Sequence, residues 1–104
     1  MKMYNATGIV WGKYWGGGEG GYAATKIYGE TSKEKLLAKA NQMLKDGSLD
    51  SGMGYEELIG AKLEIEEVDQ RTFDKKLFTH REFETEYIGK LSNETIDFLE
   101  TIDL

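Results

Sequence analysis

The chain has 104 residues, a net charge of −6, 39% hydrophobic residues and neither cysteine nor proline. That is one domain's length with material for one thin core, and it excludes disulfides and thiolate metal sites. The acidic balance disfavours direct nucleic-acid binding, which needs phosphate neutralisation.

The charge is unevenly placed. Residues 1–47 carry seven lysines against four acids (+3), and residues 48–104 carry six basic residues against fifteen acids (−9). An acidic second half either meets a basic partner or keeps the surface solvated. No signal-peptide-like segment and no run of about 18 apolar residues occurs, so a cytoplasmic location without membrane contact is expected.

Residues 4–14 alternate as a strand in which Ile9 and Trp11 point to one face, Val10 and Tyr14 to the other. Large apolar groups on both faces imply burial on both sides or an exposed adhesive face. Residues 11–22, WGKYWGGGEGGY, hold two tryptophans, two tyrosines and six of the thirteen glycines. With residues 23–28 returning as a second strand, the segment reads as a β-hairpin with a glycine-rich tip. Its bare backbone permits close approach by a ligand or partner, and its aromatics provide stiff contact surfaces. Trp15, next to the glycines, is expected to be exposed; Trp11 lies deeper and is expected in the core.

Thr31-Ser32-Lys33-Glu34 fits a capping box, with Thr31 as N-cap and Glu34 reaching back. Leu36, Leu37, Ala40, Met43 and Leu44 then form one helical stripe, and Gly47 suits a left-handed stop. Residues 48–60 form a glycine-bearing connection, with a turn at Asp50-Ser51-Gly52 and a short helical turn over 55–59. Residues 61–69 are a third strand with Ala61, Leu63 and Ile65 inward, Lys62, Glu64 and Glu66 outward, and a bulge at Glu67-Val68. Residues 71–76 turn the chain, and residues 77–88 are a fourth strand or a pair of short strands, with Glu82, Glu84 and Glu86 in one stripe. Ser92 or Asn93 caps a short C-terminal helix containing Ile96, Leu99 and Ile102, with strand as the competing assignment. The expected fold is a single α+β domain over residues 1–104: an antiparallel sheet in β-β-α-β-β order with one main amphipathic helix packed on it.

No catalytic motif is present. The glycine run lacks the Lys-Ser/Thr of a phosphate loop. Its loose GxGxxG from Gly16 sits in a hairpin and not between a strand and a helix. His80 has no companion histidine or cysteine for a metal and no evident nucleophile partner. No enzyme activity, metal or cofactor is expected.

Two features remain as candidate contact surfaces. One is the hairpin, through Trp11, Tyr14, Trp15, Glu19 and Tyr22. The other is an acidic face formed by Glu64, Glu66, Glu82, Glu84 and Glu86, which would imitate rows of phosphates. Solvation of an ordinary sheet face is the simpler explanation of these glutamates. An alternative is a nucleotide-sequestering protein in which Trp11, Trp15 or Tyr22 stacks on a base while Arg71 and Arg81 meet phosphate. A further alternative is an assembly protein whose hairpin aromatics are buried in a homo-oligomer.

The combination of GIVWGKYWGGGEGGY, the capped helix and SLDSGMGYEELIGAKLEI resembles small proteins of phages and prophages of Gram-positive bacteria. Size, acidity and the lack of a catalytic motif also resemble anti-defence proteins, including anti-CRISPR inhibitors. The resemblance implies a phage-encoded protein acting in the host cytoplasm by binding. Its partner would be a host protein or protein–nucleic acid complex.

Overall fold

The computed structural model describes residues 3–21, 24–49, 54–68 and 83–102. Five antiparallel strands, β1 (Met3–Lys13), β2 (Glu19–Gly20), β3 (Ala24–Glu30), β4 (Glu57–Val68) and β5 (Glu84–Gly89), form one sheet. Two helices, α1 (Lys33–Asp46) and α2 (Asn93–Glu100), complete the α+β fold. β1 is central: β2 and β3 pair along one of its edges and β4 along the other, with β5 outside β4.

α1 packs on one face of the sheet as its stripe requires. Leu36 and Ala40 are buried against Ala6, Val10, Ala61, Leu63, Ile65 and Ile88, with Leu37, Met43 and Leu44 half-buried around them. Its N-cap is Ser32, one residue later than the expected Thr31. The Ser32 hydroxyl oxygen accepts from Lys35 N at 3.1 Å, and Thr31 instead accepts from Lys35 Nζ at 3.3 Å. In a Thr-Ser pair either hydroxyl can cap, and the extended backbone of Ser32 decides which does. Gly47 takes the left-handed stop.

α2 packs on the opposite face. Ser92 is its cap, accepting from Thr95 N at 3.1 Å, and Leu99 is fully buried. A sheet covered on both faces explains why β1 is apolar on both of its own. It also corrects the expected orientation of β4: Lys62, Glu64 and Glu66 do not face solvent but are buried, as are Asn5 and Thr7 beside them. The expected bulge at Glu67-Val68 is absent. Met3 pairs with Val68 and Tyr4 with Glu67 in unbroken register, and Met3 and Val68 are both buried without a bulge. The irregularity lies instead between Trp11 and Gly12, whose partners skip from Gly60 to Leu58. Nor does a helical turn form over residues 55–59. The segment runs into β4, tied by Glu56 N to the Lys13 carbonyl at 2.7 Å, while the Tyr55 ring fills the space above Gly12.

Candidate functional site

The hairpin exists and its tip stands clear of the domain. Lys13 pairs with Glu19 and Gly12 with Gly20. The turn is closed by Tyr14 N to Gly18 O at 3.0 Å and Gly17 N to Tyr14 O at 3.2 Å. Gly16, Gly17 and Gly18 all have positive φ, the conformation for which glycine is suited, and each borders open space. Trp15 is 72% exposed.

The bare backbone of the other hairpin glycines is used inside the protein. A Cβ on Gly12 would lie 2.5 Å from Tyr55 Cγ, and one on Gly20 2.5 Å from the Tyr14 hydroxyl. The two tyrosine rings stack at 5.3 Å over this surface, inclined by 29°. Tyr14 is therefore an internal anchor, half-buried against the α1-side core, and Trp15 alone projects from the closed turn.

Trp11 is not the core residue expected. It is half-buried, on the α2 face, edge-on to Phe98 at 5.8 Å and 61°. Its Nε1 donates to Glu19 Oε1 at 3.2 Å. Phe98 is itself 52% exposed, so α2 and the hairpin share an aromatic surface that sequence reasoning did not identify. The available signal was the helical register. Leu99, flanked by Ile96 and Ile102, fills the inward face, which leaves Phe98 a large apolar side chain off that stripe.

The acidic face is not assembled as expected. Glu64 pairs with Thr85, whereas Glu84 and Glu86 pair with Ile65 and Leu63. Side chains alternate, so Glu64 and Glu66 lie on the α2 side and Glu84 and Glu86 on the α1 side. Glu64 and Glu66 are buried and engaged within the protein. Glu84 and Glu86 both hold Lys33, the latter at 2.8 Å, and hydrogen bonding to Glu84 and then Glu86 raises the Lys33 pKa above its usual 10.5. Tyr22, Arg71, His80, Arg81 and Glu82 lie outside the described residues.

A cleft of about 620 Å³ opens beside the end of α1, where Leu44, Lys45, Tyr55, Leu58, Ile59 and Lys90 contribute to its wall. Trp11 and Trp15 are not among its described lining residues. Among the described residues no three His, Cys, Asp or Glu side chains converge on a metal-sized site. No helix among them is long and apolar enough to cross a membrane. Set against protein-family models, curated proteins and solved structures, the chain matches none of them.

Proposed function

We propose that this protein is a non-enzymatic binding module that docks on a partner protein with the end of its β1–β2 hairpin. The observation that carries this reading is Trp15, 72% exposed on a turn closed by two hydrogen bonds. The turn is anchored by the Tyr14–Tyr55 stack. A large aromatic held outward from an ordered turn loses little freedom on binding, which is the condition under which one residue dominates an interface. The acidic stripe is not part of this surface, since its described members are paired or buried. The partner class follows the resemblance drawn from the sequence: a host defence complex met by a phage-encoded protein in the host cytoplasm.

Two measurements test the proposal. Immobilised protein should retain a discrete complex from a Gram-positive lysate, and Trp15→Ala should reduce that capture at least about tenfold without lowering the melting temperature. Equal capture by both forms removes the hairpin end as the contact. Expression in a host carrying an active defence system should raise phage plating efficiency; unchanged plating overturns the partner class.

A further inference from the structure

We infer that the surface where α2 meets the hairpin, Phe98 edge-on against Trp11 and bordered by Glu19, Glu94 and Asp97, takes an arginine-bearing segment of a protein partner. The inference goes beyond the Trp15 contact and stands without it.

Four observations converge. First, Phe98 is exposed although Leu99, Ile96 and Ile102 already provide the inward face of α2, so docking of the helix does not require an aromatic there. Second, the Phe98 ring is fixed by its edge contact with Trp11. Third, Glu94 lies one turn before Phe98 on the same side of the helix, and Asp97 is exposed beside it, while α2 carries no basic residue. Fourth, the Trp11 indole N–H holds the Glu19 carboxylate at this edge. Two described cations lie on this side: Lys13, exposed and paired across from Glu19, and Lys62, buried with its ammonium on the Leu99 and Ile102 carbonyls, so three carboxylates against two ammonium groups leave the border negative.

An anionic surface, whether nucleic acid or acidic lipid, is repelled by this border. A cationic segment is attracted by it, and the aromatic face selects among cations. A guanidinium is planar and weakly hydrated, so it can lie on the Phe98 ring while its N–H groups reach Glu94 or Asp97. A lysine ammonium remains a hydrated point charge.

The test uses the full chain and two labelled peptides of equal charge, Arg-Gly-Arg-Gly-Arg and Lys-Gly-Lys-Gly-Lys, followed by fluorescence anisotropy. The arginine peptide should bind at least about fivefold more tightly than the lysine peptide. Phe98→Ala should abolish that preference and leave lysine binding unchanged, whereas Glu94→Gln with Asp97→Asn should weaken both peptides. Phe98→Leu, which keeps an apolar side chain, provides the same comparison if the alanine variant is poorly folded. Equal affinity for the two peptides, no binding of either, or a preference that survives loss of Phe98 overturns the inference. A preference lost with Trp15→Ala and not with Phe98→Ala also overturns it, moving the arginine to the hairpin tip and leaving the hairpin reading intact.

Discussion

Lys62 Nζ donates to the carbonyl oxygens of Leu99 and Ile102, each at 2.7 Å, so a lysine from the middle of β4 closes the last turn of α2. The last turn of α2 has no basic residue of its own. A cation at a helix C-terminus satisfies orphan carbonyls and complements the helix dipole. Lys62→Met keeps the apolar stem and removes both bonds. It should lower stability by about 2–3 kcal/mol, the scale of charge-assisted hydrogen bonds lost at a buried site. In hydrogen exchange the amides of α2 should lose protection before those of β1 and β4. Undiminished protection in α2 would show that Leu99 alone holds the helix.

The two tryptophans should differ in stability as well as in binding. Trp11 is half-buried, so Trp11→Ala should cost about 1–3 kcal/mol, below the roughly 3–5 typical of a fully buried tryptophan. Trp15→Ala should stay within about 0.5 kcal/mol of the parent in urea unfolding. A comparable loss for both would make the hairpin tip part of the core.

Gly12 and Tyr55 should be energetically coupled. Gly12→Ala directs a methyl into the Tyr55 ring and should cost about 1–3 kcal/mol, as overpacking does. In a Tyr55→Leu background the same change should cost less, and a double-mutant cycle reads the difference. Strict additivity would place the clash elsewhere, at the Glu57 carbonyl that also borders this position.

Stability should fall as pH rises above about 10. The Tyr87 phenol is held above its usual 10.0 by burial first and by the charges of Glu100 and Glu64 second. Lys33 is raised by Glu84 and Glu86. Each raised group contributes stability that is complete below its unfolded-state pKa and is lost as pH climbs through the folded value. Tyr87→Phe should therefore retain more of its melting temperature than the parent above pH 10. At the acid end, hydrogen bonds from Ser48 depress the Asp46 pKa below its usual 3.8, so that contribution is present above this value and is lost on acidification. A flat melting temperature across the alkaline range would refute the first part.

The elements that declared themselves in the sequence were those with one environment per face. The stripe from Leu36 to Leu44 specified α1 and its contact surface; Ile96, Leu99 and Ile102 pointed to α2 but left strand as a competing assignment and the cap open between Ser92 and Asn93, which the structure resolves as a helix capped by Ser92. β4 was misread on one side because alternation reports polarity, not exposure. Lys62, Glu64 and Glu66 look like a solvated stripe, yet their side of the sheet is covered and their charges are engaged inside the protein. The hairpin was legible from its glycines and aromatics, and so was exposed Trp15. The roles of Gly12 and Gly20 were not, because the rings that approach them come from Tyr55, over forty residues away, and from Tyr14 folding back. The joint surface of Trp11 and Phe98 depends on α2 taking the second face of the sheet, a tertiary fact that no local pattern encodes.

The central place of β1 has a consequence for synthesis. As the chain leaves the ribosome, β1, β2, β3 and α1 emerge first and can form the hairpin and its helix. One edge of β1 then remains an open row of backbone donors and acceptors until residues 57–68 arrive to pair along residues 3–13. An unpaired strand edge with apolar groups on both sides is a template for joining another chain. Folding must also wait for a closure spanning about half the polypeptide, which is slow relative to local pairing. The nascent chain is thus expected to be most prone to self-association in the interval between completing α1 and releasing β4, and slower translation through that interval should increase it.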